Sequence, residues 1–280
     1  MAGHVISLFF ENLNEEYKVI SVARSANYIK PTILLDVSDF SALERLLEDV
    51  RPDFIINCIG LLNQNAENHP DRSILINSYL PHFLEAITKN TKCKVIHIST
   101  DCVFSGEKGS YHESDFTDGR GFYAQSKALG EIKNPKDLTI RTSIIGPELN
   151  ENGIGLFHWF SRQEGQVKGY TNAYWSGVTT LQLAKSIHHL IDQQVSGLFH
   201  LTNSEKISKY DLIMLFKEVF SSSSITDIVP FDDYKVDKSL VNIRKDVNLI
   251  VPGYSEMIWA MKEWICSNSN LYSHYRKIIA

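Results

Sequence analysis

The chain has 280 residues, 43% of them hydrophobic and 22% charged, with a formal net charge of -5 and a pI near 6.1. That balance is long and apolar enough for one large core with an annexed lobe, and it lacks the basic footprint that nucleic-acid or anionic-membrane binding requires. No apolar run approaches the ~20 residues of a spanning helix, and the opening segment lacks the basic flank and length of a signal peptide.

In chain order, residues 4–13 place Val5, Ile6, Phe9, Phe10 and Leu13 at helical spacing, which predicts an amphipathic first helix. The runs KVISVA (18–23), TILLDV (32–37), FIINCIG (54–60), KVIHIST (94–100) and LTIRTSIIG (138–146) read as strands separated by amphipathic stretches. They are apolar throughout, as strands covered by helices on both faces should be. This alternation predicts an α/β fold of the Rossmann type, a doubly wound parallel sheet. After Gly146 and Pro147 the rhythm changes to a Gly/Asn-rich stretch and an aromatic-rich segment, LFHWFSRQEGQVKGYTNAYWSG, followed by a helix and a strand. The expected organisation is a dinucleotide-binding unit over 1–148, completed by about 177–201, interleaved with a smaller substrate lobe over 149–280. The run SSSS at 221–224 reads as a loop.

The cysteines Cys58, Cys93, Cys102 and Cys266 show no C-x-x-C spacing and no histidines at zinc-site intervals, so they read as reduced thiols of a cytoplasmic protein. The histidines, including His188 and His189, form no metal-ligand pattern. In GFYAQSKALGE, Tyr123 and Lys127 lie four residues apart on one helix face. A phenol titrates near pH 10, so acid or base work near neutrality needs help worth up to about 4 kcal/mol, which a neighbouring ammonium supplies in part. Such a pair is expected about once by chance, and Tyr234 and Lys238 form a second. Context separates them. KVIHI ends in STDCVFSG before Tyr123, and hydroxyls at the carboxyl end of a parallel strand lie where open α/β sheets bind ligands. Thr100 there is a candidate hydrogen-bond donor to a substrate carbonyl, with an N-cap or turn role for Ser99 and Thr100 as the alternative.

With these segments in view, HISTDCVFSGEKGSYHESD, FYAQSKALGE and LTIRTSIIG resemble the extended short-chain dehydrogenase/reductases, most closely the dTDP-4-dehydrorhamnose reductase branch. LLNQNAENHPDRSILINSYLPHFLEA, WSGVTTLQLAKSI and SGLFHLTNSEKISKYDL extend the resemblance over nearly the whole chain. It implies NAD(P)H-dependent reduction of a nucleotide-linked 4-keto-6-deoxy sugar for surface-polysaccharide precursors, with the nucleotide sugar as partner and a homodimer allowed. Tyr123 would then be the general acid at the C4 oxygen. Lys127 would hold the nicotinamide ribose and lower the tyrosine pKa, Thr100 would orient the carbonyl, and Asp101 would contact the sugar. Cys58, Ile59 and Gly60 would line the cofactor through their backbone, and Asn77 matches a buried family asparagine counted with the cofactor site.

The same resemblance bears on the cofactor. Arg24 with Ser25, at the end of VISVARS, suits the 2′-phosphate of NADPH, with NADH as the alternative; Asp36, followed by Val37, matches the family acid next to the adenine. A helix N-cap at Ser38 or Asp39 competes for that segment. The family begins with a strand and a G-x-x-G-x-x-G loop. MAGH resembles the end of that loop, with Gly3 as its third glycine. The expectation is a start roughly a dozen residues upstream; the alternative is a chain that has lost cofactor binding.

Two sugar-facing family positions depart from the pattern, a tyrosine replaced by Cys102 and a tryptophan replaced by Ile144. Both remove an aromatic surface, so dTDP- and UDP-linked sugars stay open as substrates. Tyr170, Tyr174 and Trp175 are candidates to compensate, with core packing as the competing use. Two further functions stay open: a nucleotide-sugar epimerase or 4,6-dehydratase, the latter disfavoured by Cys102 where a glutamate is needed, and a non-catalytic regulatory subunit.

Overall fold

The computed structural model describes residues 1–220 and 225–279; the serine run at 221–224 lies outside the described residues. The chain opens on α1 (Ala2–Glu11), which buries Ala2, Val5, Ile6 and Phe10 much as the spacing predicts. β1 (Val22–Ala23) and β2 (Ile33–Leu34) form a short parallel pair. Both predicted strands were longer. Among the described residues each pairs with the other alone, so the ladder reaches only as far as that one neighbour. α2 (Phe40–Val50) is capped by Asp39, whose carboxylate accepts the Ala42 N–H at 2.9 Å.

β3 (Phe54–Asn57) leads through a loop into α3 (Asn63–Asn68), α4 (Pro70–Ser73), a π-helical stretch (Ile74–Tyr79) and α5 (Leu80–Thr88). β4 (Lys94–Ile98), α6 (Gly121–Leu129) and β5 (Leu138–Arg141) come next. The predicted strand over 138–146 divides here. β5 stays in the main sheet, whereas β6 (Ile144–Ile145) leaves it for another partner. At the break the Thr142 hydroxyl donates to Leu201 O at 2.8 Å.

The later chain contains α7 (Leu156–Ser161), β7 (Gly165–Tyr170), β8 (Ala173–Trp175), β9 (Val178–Thr179), α8 (Thr180–Asp192) and β10 (Gly197–His200). β11 (Ile207–Ser208), α9 (Lys209–Phe220), β12 (Ile225–Phe231), β13 (Val236–Asp237), α10 (Tyr254–Ser267) and α11 (Arg276–Ile279) complete it. The main sheet is parallel, in the order β10-β5-β4-β3, and β10 pairs with β5 from Gly197 and Leu138 to His200 and Arg141. β6 pairs with β9, β7 with β12, and β8 with both β11 and β13.

The largest core cluster joins α1, α8, the sheet and α9. On α8, Leu183, Ala184, Ile187 and Leu190 are fully buried, and each large aliphatic side chain there contributes about 1.5–3 kcal/mol. α6 approaches the π-helical stretch at backbone distance: a Cβ on Gly130 would lie 1.9 Å from Asn77 O, so only glycine fits. Asn77 itself is fully buried. Its Oδ1 accepts the Leu61 N–H at 2.8 Å, and its Nδ2 donates to Leu61 O at 3.0 Å and Ser126 Oγ at 3.1 Å. No helix among the described residues is long and apolar enough to cross a membrane.

Candidate active site

Parallel strands carry their side chains and following loops toward one edge, and three groups converge at the carboxyl end of β4. Thr100, two residues beyond the strand, caps a single 3-10 turn over Asp101–Val103. Its Oγ1 accepts the Cys102 N–H at 3.1 Å and donates to Asp101 Oδ1 at 3.1 Å. The capping alternative is therefore realised at the place where the functional reading also needs the hydroxyl. Asp101 is buried, and desolvation raises its pKa against the opposing pull of Lys238 and Lys209.

α6 supplies Tyr123 and Lys127, one turn apart. The helix starts at Gly121 with φ 86, and a Cβ there would lie 2.6 Å from Glu67 Oε1. That close approach lets Glu67 reach the helix end, where its carboxylate accepts the N–H groups of Phe122 and Tyr123, both at 3.1 Å. Desolvation holds Tyr123 above its usual pKa; Cys102 adds to the rise, and a hydrogen bond from Thr100 works against it.

Lys127 is 4% exposed and turned inward. Its Nζ donates to Ile98 O at 2.7 Å and lies 3.2 Å from His97 Nε2. Burial lowers its pKa to about 8, against the raising influence of Glu131. The expectation that Lys127 lowers the tyrosine pKa is corrected here. The lysine nitrogen is committed to β4, and burial dominates Tyr123. Beneath the site Glu131 is clamped: Arg141 Nε and Nη2 donate to its two oxygens at 2.6 and 2.7 Å, and Ser99 Oγ donates at 2.9 Å.

Cys58, Ile59 and Gly60 follow β3, with Ile59 38% exposed at the surface. The first turn of α1 packs on them: a Cβ on Gly3 would lie 3.6 Å from Cys58 Cβ. No side chain caps that helix end. Arg24 and Ser25 are exposed after β1. Asp36 Oδ1 accepts the Ser38 N–H at 3.0 Å and its hydroxyl at 2.7 Å; these bonds hold its pKa low, with a smaller contribution from Arg24. Val37 packs into the small cluster around Leu43 and Leu80. The uncapped amino end of α1 and the Arg24 guanidinium after β1 are donors for phosphate, and the Asp36 carboxylate after β2 is an acceptor, a set that fits a phosphorylated dinucleotide.

Two predicted contacts are corrected. Asn77 cannot touch a cofactor, because it is fully buried with its amide spent on Leu61 and Ser126. Trp175 is 6% exposed and packs against Tyr254, so core packing is its use. Tyr170 and Tyr234 remain partly exposed, with ring centroids 5.3 Å apart. Ile144 is partly buried in β6. Burial pushes the Cys102 thiol up to about 11, which leaves it protonated and no nucleophile. Tyr234 and Lys238 lie outside any helix, and yet Lys238 is a cation acting on Asp101. Sequence reasoning missed Lys238, Glu67 and His97; the one accessible signal was the histidine in the strand just before STD.

The family model for the RmlD substrate binding domain matches residues 5–239. A dTDP-4-keto-6-deoxy-D-glucose reductase of Streptomyces niveus is 27% identical over 243 residues, 83% of this chain and 80% of that protein. A probable low-salt glycan biosynthesis reductase of Haloferax volcanii is 27% identical over 192 residues, 65% of this chain; the chain spans 64% of that relative's length. Among solved structures, a hypothetical dTDP-4-dehydrorhamnose reductase from Sulfolobus tokodaii superposes with a TM-score of 0.75 at 26% identity, covering 90% of this chain and 94% of that one. With the family model spanning most of its length over a matching Rossmann fold, the chain belongs to the RmlD-like family of extended short-chain dehydrogenase/reductases.

Proposed function

We propose that this protein is an NADPH-dependent reductase acting on the 4-keto group of a nucleotide-linked 6-deoxy sugar, in the cytoplasmic synthesis of polysaccharide precursors. The observation that carries the reading is the convergence of Thr100, Tyr123 and Lys127 at the end of β4, within a chain of this family. The unit over 1–148 with 177–201 would bind the cofactor, and the segments over 149–280 outside it would enclose the sugar.

Bound NADPH supplies hydride to C4 of the sugar. The Tyr123 hydroxyl, kept protonated by its surroundings, donates its proton to the C4 oxygen, so that the carbonyl becomes a secondary alcohol. Thr100 would orient that oxygen, and Lys127 would hold ribose hydroxyls with the ammonium hydrogens not given to Ile98 O. Arg24 and Ser25 would take the 2′-phosphate, while Gly3 and the backbone of 58–60 would line the rest of the cofactor. Lys238, whose charge acts on Asp101, would favour the diphosphate of a sugar nucleotide bound beside the pair.

The test is Tyr123→Phe assayed with dTDP- and UDP-linked 4-keto-6-deoxy sugars. Loss of the general acid should cost about 10²- to 10⁴-fold in kcat while NADPH binding is kept. Turnover equal to the wild type would remove the tyrosine from the mechanism, and no turnover by the wild type on any such sugar would remove the reductase assignment.

A further inference from the structure

Thr100 stands among groups that compete for its one hydrogen. Its Oγ1 accepts the Cys102 N–H at 3.1 Å and donates to Asp101 Oδ1 at 3.1 Å, and Thr100 and Asp101 are both buried. The Tyr123 hydroxyl, on α6, is the third hydrogen-bonding neighbour of that oxygen.

A hydroxyl offers one hydrogen and two lone pairs. One lone pair is already committed, because the Cys102 N–H can only donate. With Asp101 ionised, the carboxylate can only accept, so the Thr100 hydrogen is spent on it. The second lone pair is then all that Thr100 has left, and it draws the Tyr123 O–H. A ketone oxygen also only accepts. In this state Thr100 has nothing to give it, and the tyrosine proton is turned toward Thr100. With Asp101 protonated the accounting reverses: the carboxyl O–H donates to the second lone pair, and the hydrogens of Thr100 and Tyr123 are both left for the ketone oxygen.

We propose that Asp101 is a positioning residue for the reduction, which holds the Thr100 hydrogen when ionised and releases it to the C4 oxygen of the sugar when protonated. The pairing of Thr100 with Asp101 is thus a switch between a hydroxyl that receives and a hydroxyl that gives.

The groups around Asp101 pull in both directions. Burial is the largest influence and favours the neutral carboxyl. Lys238, just after β13, and Lys209, at the start of α9, favour the carboxylate, as do the hydrogen bonds of Thr100 and Cys102. The remaining titratable neighbour is Tyr123, where the Asp101 charge opposes loss of the phenol proton. The ionised state therefore hinders proton transfer twice, through the direction of Thr100 and through its charge.

The consequence for turnover rests on the reductase reading, whereas the switch itself is tested without a sugar. In the full-length protein labelled with ¹³Cζ-tyrosine, the Tyr123 resonance, assigned with Tyr123→Phe, should step between two positions as pH crosses the Asp101 titration. The step should be absent from Asp101→Asn, whose side chain does not titrate. It should also be absent from Thr100→Val, which keeps the carboxyl but has no hydroxyl to turn. No step in the wild type, or one that persists in either variant, overturns the switch. Should Thr100→Val not fold, Thr100→Ala takes its place. With a dTDP- or UDP-linked 4-keto-6-deoxy sugar, wild-type kcat/KM should fall by about tenfold or more as pH rises through the same midpoint, the worth of one hydrogen bond to a developing charge. Asp101→Asn should lack that fall, and an equal fall in the variant overturns the proposal. A step in the resonance with no turnover of any such sugar would remove the reductase reading and leave the switch standing; turnover without the step would do the reverse.

Discussion

Glu67 accepts the backbone N–H of Tyr123 at 3.1 Å, so a carboxylate from α3 fixes the start of the helix that carries the proposed acid. It acts as a cap borrowed from another element, where negative charge also meets the helix dipole. Glu67→Ala should cost about 1 kcal/mol of stability in urea titrations and reduce kcat more than it changes KM. Gly121→Ala should be at least as damaging, since its φ is 86 and the added methyl would meet Glu67. Equal kcat in wild type and Glu67→Ala would detach the cap from the tyrosine's function.

Arg24 offers a test of cofactor choice because it is exposed and spends little on the protein itself. Arg24→Ala should weaken NADPH binding about tenfold or more, the cost of one charge-assisted bond, and leave NADH binding nearly unchanged. Fluorescence titration of both nucleotides reads the difference. Equal losses for the two would move the 2′-phosphate away from Arg24.

The buried Arg141 and Glu131 pair joins β5 to the residue just past α6, and Ser99 ties it to the end of β4. Glu131→Ala leaves a guanidinium that is 1% exposed without its partner, a change that typically costs about 3–5 kcal/mol. Thermal unfolding should therefore show a large drop. A shift of only a degree or two would mean that Arg141 finds other partners, His200 being the nearest at 3.2 Å.

Histidines dominate the pH dependence of stability in mild acid. Burial lowers His4 to about 3 and His200 to about 4, and holds His97 well below the ordinary range. In each case the unfolded chain binds the proton first. Stability is therefore full above about pH 6.5 and falls as pH drops from there toward 4, by at most about 1.4 kcal/mol per unit for each histidine. Asp101, with its raised pKa, opposes this in part, because the native state takes up its proton earlier. Urea midpoints measured across pH 4–7 should climb with pH; a flat profile would mean that these imidazoles are hydrated.

The parallel sheet was legible because β3, β4 and β5 are short apolar runs flanked by helices, and the Tyr123 and Lys127 pair because helical spacing puts them on one face. The limits of β1 and β2 were not legible, since pairing depends on neighbours that a local pattern does not name. Trp175 was misread toward the sugar: aromatic density marks cores and ligand surfaces alike, and only its contact with Tyr254 separates the two. Glu67 and Lys238 act on the site from 56 positions before Tyr123 and from a loop far beyond it, separations over which no periodicity carries information.

The seam between Gly130 and Asn77 sets the direction in which this site can change. With main chain against main chain there, no side chain stands between Gly130 and Asn77 to be trimmed or enlarged, and Asn77 and Ser78 bond Ser126 alongside. The tyrosine-bearing wall is a fixed datum, and room for a bulkier or smaller sugar has to be made by elements other than α6 and the π-helical stretch.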